Sequence, residues 1–226
     1  MPVVVRNIFE QYVKERFDLQ DCVAVNNGTA ALIAPLWSLD LQPDDEVITT
    51  PFTFIVPVHL YGRICQMDKI IQIAERHNLV VIEDTAQAFG AKNSHGQFAG
   101  MTSDAGAFSF YKTKNISTFE GGMICIPKNS KLDSEKIRSI CDQGQVGKYN
   151  HEYIGFNFRL AEPLCLMALE QMKIHMTGIK AELGIRGPEQ GHYPRVVYHQ
   201  PAYIKQNIKG ECPIAEKVAE EIKNMK

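Results

Sequence analysis

The chain has 226 residues, 45% of them hydrophobic and 22% charged, with a formal net charge of -2 at pH 7. Enough apolar side chains are present to bury a core, which excludes whole-chain disorder, and the near-neutral balance leaves no electrostatic footprint for nucleic acid or an anionic membrane. The N-terminal stretch reaches Arg6 too early for the apolar run of a secretory signal, and no later run is long enough to span a bilayer, so a cytoplasmic location is expected.

In chain order, Ile8, Tyr12, Val13 and Phe17 fall at helical spacing and predict a helix over 7–18, and Cys22-Val23-Ala24-Val25 follows as a short apolar strand. After the turn Asn26-Asn27-Gly28, the positions Ala30, Ala31, Leu32, Leu36 and Leu39 predict a helix from Thr29 onward, closed at 41–45, and 46–50 reads as the next strand. The order then recurs, with a short strand at 56–60, a helix at 67–77 and a buried strand at 79–82 that runs into Glu83-Asp84. This alternation predicts a mainly parallel α/β sheet flanked by helices. Apolar runs at 105–111 and 122–126 predict two more strands around the loop from Lys112 to Gly121, and helices are expected over 134–143, 161–175 and 214–224. The Gly- and Pro-rich stretch around 178–194 is the expected boundary between a large domain, 1–177, and a small one, 178–226. Six cysteines stand singly, without the close pairs of a zinc site or the density of a disulfide scaffold, which predicts reduced, mostly buried thiols.

In open α/β sheets ligands sit beyond the carboxyl ends of the strands, so polar residues at those ends are the candidates for chemistry. Asn27-Gly28-Thr29 follows a strand and opens a helix, where free backbone N–H groups and the helix dipole attract an anion and Thr29 adds a hydroxyl. A tight turn with Thr29 as N-cap is the plainer alternative. Glu83-Asp84 closes an apolar strand, where a carboxylate needs a cationic partner such as a protonated ring nitrogen; the alternative is that Asp84 caps a following helix. Phe108-Ser109-Phe110-Tyr111 runs into Lys112 and Lys114, and a lysine desolvated in a cleft has a lowered pKa and attacks aldehydes, whereas a loop lysine taken alone is a solvated charge. An anion cradle, an acid and a lysine at successive strand ends are the parts a pyridoxal 5'-phosphate (PLP) site requires. No G-x-G-x-x-G follows the first strand, which argues against a nucleotide-binding Rossmann protein, and neither His59 nor His199 is assigned a catalytic role.

The stretches CVAVNNGTAAL (22–32), DDEVITTPFTFI (44–55), PVHLYG (57–62), VVIEDTAQAFGA (80–91), GAFSFYKTKN (106–115), EGGMI (120–124) and GFNFRL (155–160) carry a resemblance that spans most of the chain. In this order they resemble the DegT/DnrJ/EryC1/StrS aminotransferases, sugar aminotransferases of the fold-type I PLP enzymes, and residues 192–203 and 212–222 resemble that family's small-domain segment. The resemblance implies the aspartate aminotransferase-like fold with PLP as cofactor. It implies Lys114 as the Schiff-base lysine and general base, Asp84 on the pyridine nitrogen, Gln87 at the ring hydroxyl and Phe54 stacked on the ring. Gly28, Thr29 and Ser109 would contact the phosphate, Asn157 would reach the phosphate of a partner subunit's cofactor, and Lys112 would be a surface neighbour. The implied activity is ping-pong transamination in a homodimer, with glutamate as amino donor and a nucleotide-linked keto-sugar as acceptor. A histidine in the lysine's place accompanies dehydration in some relatives, so Lys114 favours amino transfer.

The family has a few dozen further residues between Ile55 and Val56 and a second block between Met172 and Gly184, so the sheet is expected to lack elements and the small domain to be reduced. Phe119 stands where the family has glycine, and Pro163 to Leu166 replace small residues. These departures support an alternative in which the chain is a catalytically inactive, truncated relative acting at most as a binding module.

Overall fold

The computed structural model describes residues 4–42 and 57–176, with five single positions beyond them. Helix α1 (Val5–Arg16) leads into β1 (Leu19–Val25), and α2 (Gly28–Trp37) follows after a two-residue turn. Then come α3 (Met67–Arg76), β2 (Ile82–Asp84), β3 (Ala105–Ser109), β4 (Gly122–Pro127), α4 (Ser134–Cys141), the hairpin β5 (Gln145–Gly147) and β6 (Asn150–His151), and α5 (Glu162–Met176). The helices expected over 7–18, 67–77, 134–143 and 161–175 are thus present within a few residues. The expected strand at 46–50 and nearly all of the expected small domain, 178–226, lie outside the described residues.

The main sheet has the order β1-β4-β3-β2. β4 runs antiparallel to both its neighbours, while β2 and β3 are parallel. β1, β3 and β2 therefore point one way, as expected of a parallel sheet, and β4 alone is inserted against them, so the sheet is mixed. The expected strand at 56–60 reduces to a bridge between Val58 and Asp84, followed by a 3-10 turn over Leu60–Gly62. The expected strand at 79–82 begins only at Ile82, because the Val81 N–H donates to the Asp104 carboxylate at 2.8 Å instead of to a neighbouring strand.

Strand alternation sends neighbouring side chains to opposite faces, and each face meets a pair of helices. Cys22, Ala24, Phe108, Met123 and Cys125 pack with Phe9 and Val13 of α1 and Cys165, Ala168 and Met172 of α5. Val23, Val25, Ala107, Ile124 and Ile126 pack on the other face with Ala30, Ala31 and Ala34 of α2 and Ile137 and Ile140 of α4. The small side chains of α2 let its backbone lie close to β3. Arg138 of α4 reaches round the β1 edge to Glu10 at 2.7 Å and Asp21 at 2.8 Å, joining the two layers. All five cysteines among the described residues are free, and Cys22, Cys125, Cys141 and Cys165 are buried.

Candidate active site

The carboxyl ends of β1, β3 and β2 converge on one edge of the sheet. Gly122, the first residue of β4, pairs with Val25 on one side and Ser109 on the other, and Asp84 pairs with Ala107. A side chain at Gly122 would sit 2.5 Å from the Phe108 carbonyl oxygen and 2.8 Å from that of Asn27, so the two strand ends close in on a residue that has to be glycine. The same edge brings the α2 N-terminus against β3, where a Cβ on Gly28 would lie 2.8 Å from the Ser109 Cβ and 3.2 Å from its Oγ.

Gly28 and Ser109 thus meet at a helix N-terminus, with the exposed Thr29 next in the same turn, a geometry suited to an anion. The cap differs from the expected one: Asn27, not Thr29, caps α2, its side-chain oxygen accepting the Ala30 N–H at 2.7 Å. Asn outranks Thr at this position, and the exchange leaves the Thr29 hydroxyl uncommitted to the cap. The Ser109 hydroxyl accepts the Tyr111 N–H at 3.3 Å, so its own proton remains for a ligand.

Asp84 is a strand residue rather than a helix cap; the segment after it is a series of turns, and its Oδ1 accepts the Ala86 N–H at 3.0 Å. Burial pushes the Asp84 carboxyl up, and the Ala86 N–H and the Lys114 ammonium work against that push. Burial likewise lowers the Lys114 amine, with Asp84 opposing it. The acid and the lysine are therefore near enough to act on each other's charge in a partly dehydrated place. Lys112 is exposed, its ammonium over the Tyr111 ring, so the two loop lysines differ as expected. The loop is held still on either side of Lys114 by a bond from the Asn115 amide to the Phe89 carbonyl at 3.2 Å, by Ile116 in the core, and by reciprocal bonds between the Ser117 backbone and the Gln171 amide of α5.

Gln87 lies three residues past Asp84, and its Oε1 accepts the Tyr61 backbone N–H at 2.9 Å. Asn157 is exposed, and its carbonyl accepts the Asn26 amide at 3.1 Å beside the α2 turn. Phe54 lies outside the described residues. Sequence reasoning missed Glu83, fully buried and bonded to His59, to the N–H groups of Gly100 and Thr102 and to the hydroxyls of Thr102 and Ser103. The signal was present: adjacent acids on one strand face opposite ways, so if Asp84 faces the cleft, Glu83 faces the interior and needs partners.

The chain is thus a three-layer α/β protein with a buried acid, a half-buried lysine and a helix N-terminus at one edge of its sheet. The chain belongs to the DegT/DnrJ/EryC1/StrS aminotransferase family, whose model matches residues 5–56 and 54–182. The match falls in two stretches that overlap at residues 54–56. GDP-perosamine synthase of Caulobacter vibrioides is 32% identical over 208 residues, covering 73% of this chain and 55% of that protein. An aminotransferase structure from Psychrobacter cryohalolentis covers 77% of this chain and 57% of its own at 29% identity, with a TM-score of 0.68. The DesV structure from S. venezuelae, at 23% identity and a TM-score of 0.78, covers 97% of this chain and 82% of its own and supports the fold alone. The chain spans about half the length of the curated relatives it matches, 55% and 48% for the first two. Among the described residues no helix is long and apolar enough to cross a membrane.

Proposed function

We propose that this chain carries the PLP site of a sugar aminotransferase that moves an amino group from glutamate to a nucleotide-linked keto-sugar. The observation that carries the reading is the placement of the buried Asp84 and the Gly28–Ser109 contact at one edge of the sheet, below the loop that carries the half-buried Lys114. The residues fit PLP: a bare glycine and a serine hydroxyl at a helix N-terminus suit a phosphate, a buried carboxylate suits a pyridinium nitrogen, and a lysine of lowered pKa suits an aldehyde. When bound, PLP supplies an electron sink next to the substrate's reacting carbon.

In this reading Gly28, Thr29 and Ser109 anchor the phosphate, and Asp84 holds the proton of the ring nitrogen. Because the Gln87 oxygen is engaged by Tyr61, its amide nitrogen is the end that would meet the ring hydroxyl. Burial lowers the Lys114 amine and so favours its neutral form, the form that accepts a proton and can give it back. Phe54 is proposed to stack on the ring. The exposed Asn157 is proposed to serve a partner subunit in a cytoplasmic homodimer. GDP-perosamine synthase among the relatives supports the nucleotide-sugar class of acceptor.

A second reading, a catalytically silent binding module, is favoured by one observation: the alignment to the Caulobacter protein is 208 positions long yet takes in only 73% of this chain's 226 residues, so a block is missing within it. One experiment separates the two. Purified protein mixed with PLP should turn yellow, borohydride should fix the cofactor on the peptide containing Lys114, and Lys114→Ala should abolish both; a colourless wild-type protein saturated with PLP rejects the first reading.

A further inference from the structure

The three residues Pro57, Val58 and His59 lie along the outer edge of β2 and hold Asp84 from both sides. The Asp84 N–H donates to the Pro57 carbonyl at 3.1 Å, and the Asp84 carbonyl accepts the His59 N–H at 3.0 Å. Two residues further on, Tyr61 occupies the left-handed region at φ 55, ψ 29, a costly conformation for a bulky side chain, and donates its N–H to Gln87. One short segment thus supports two of the residues assigned to the ring.

Among the described residues the segment pairs with β2 by one bridge, too little backbone pairing to fix it. The His59 side chain supplies the anchor. It is fully buried at 0% exposure, its Nε2–H donates to Glu83 Oε2 at 2.7 Å, and its Nδ1 accepts the Cys65 N–H at 3.3 Å. Glu83 is itself immobilised by the Gly100 N–H and by Thr102 and Ser103, each at 2.9 Å. The chain of contacts runs from the 100–103 turn through Glu83 to His59 and from there, by the backbone, to Asp84 and Gln87.

We infer that His59 is a positioning residue for the cofactor ring: through Glu83 it fastens the 57–61 segment that holds Asp84 by both backbone groups and sets the Gln87 amide through Tyr61. This rests on the PLP reading proposed above. His59 touches neither cofactor nor substrate and acts only by holding those that do.

The test compares His59→Leu with His59→Gln, which keeps an N–H near the position of Nε2, at a temperature where both are folded. Two quantities are read: the Kd for PLP and the hydrogen–deuterium exchange of peptides spanning 80–88. His59→Leu should weaken PLP binding about tenfold, as the charged contact of the released Asp84 to the ring lengthens, and speed exchange at the Asp84 amide, and His59→Gln should restore most of both. In an Asp84→Asn background the same His59→Leu change should add little further loss of affinity. Wild-type affinity in His59→Leu, or an undiminished loss in the Asp84→Asn background, overturns the inference. If wild-type protein binds no PLP, the cofactor reading falls separately, and unchanged exchange over 80–88 in His59→Leu still overturns the brace. Glu83→Gln carries the same comparison should His59→Leu fail to fold.

Discussion

Replacing Gly28 by alanine tests whether the anion seat depends on a close approach. The added Cβ would meet the Ser109 Cβ at 2.8 Å, its Oγ at 3.2 Å and its Cα at 3.3 Å. Carbon atoms prefer about 3.5–4.0 Å, so α2 and the end of β3 must part by most of an ångström. Overpacking of this kind costs about 1–3 kcal/mol, and alanine's better helix propensity returns at most about 1 kcal/mol of it. A net loss of about 2 kcal/mol lowers the Tm of a chain this size by roughly 4–8 °C. Movement of the Ser109 hydroxyl should weaken PLP binding at least about tenfold, since a hydrogen bond to a charged phosphate is lost or lengthened. Calorimetry and a PLP titration followed by absorbance measure both. The double variant Gly28→Ala/Ser109→Gly removes the Cβ and Oγ contacts, so it should regain Tm but not PLP affinity. Unchanged Tm and Kd in Gly28→Ala would refute the reasoning, as would a double variant no more stable than the single one.

Two further outcomes follow from groups outside the site. Arg138→Met strips Glu10 and Asp21 of their cation; full burial would make this a loss of about 3–5 kcal/mol, and since the Arg138 side chain is 40% exposed, a loss of about 2 kcal/mol is expected. Burial already raises Glu10 above the ordinary carboxylate range and Arg138 opposes that rise, so the variant's Glu10 rises further. A raised folded-state value means stability that is present below the unfolded value and lost as pH climbs through the folded one, so the deficit should be largest at neutral pH and shrink in acid. Urea unfolding at several pH values checks this, and a pH-independent deficit contradicts it. Phe119 holds φ 67 while 70% exposed, so Phe119→Gly should raise stability by about 1 kcal/mol through relief of left-handed strain. A lowered Tm in that variant would show that the ring has a packing role.

Helices were legible because most of their apolar spacing survives in the packed layers: of the positions expected on α1, Val13 is buried and Tyr12 and Phe17 are partly buried, but Ile8 is 45% exposed and Phe9 takes the core position beside it. Strand direction was not legible, because an apolar run such as Gly122–Ile126 reads the same whichever way it pairs. Only the return of the chain through the 110–121 loop decides that β4 runs against β3. The start of β2 was misplaced because the partner of Val81 is Asp104, a carboxylate 23 residues away that no local pattern announces. Of the site, Gly28, Ser109, Asp84 and Lys114 are brought to one edge, and Lys112 faces solvent as expected. The choice between the two lysines came from resemblance, since spacing alone does not separate residues two apart in a loop. Asn27 and Thr29 are equally plausible caps on paper, and only the 2.7 Å bond to Ala30 decides between them.

The antiparallel insertion of β4 explains why the site lies where it does. Three strands of common direction place Gly28, Ser109 and Asp84 at one edge, but none of them supplies a base. β4 starts at that edge, so the segment joining β3 to β4 turns back within it and stays above the strand ends: Phe110 donates to the Gly121 carbonyl at 2.8 Å and Thr118 to that of Phe110 at 2.9 Å. Lys114 sits near the middle of this closed turn, pinned through Ile116 and Ser117. A parallel β4 would require a crossover to the far end of the sheet, and a lysine on that crossover would leave the edge. The lowered Lys114 amine and the raised Asp84 carboxyl are therefore both consequences of topology: the fold brings opposite charges into one poorly hydrated place, and burial drives each toward neutrality more strongly than the other restrains it. A cationic ring nitrogen placed on Asp84 would reverse that balance at the acid, because an opposite charge in contact favours the carboxylate.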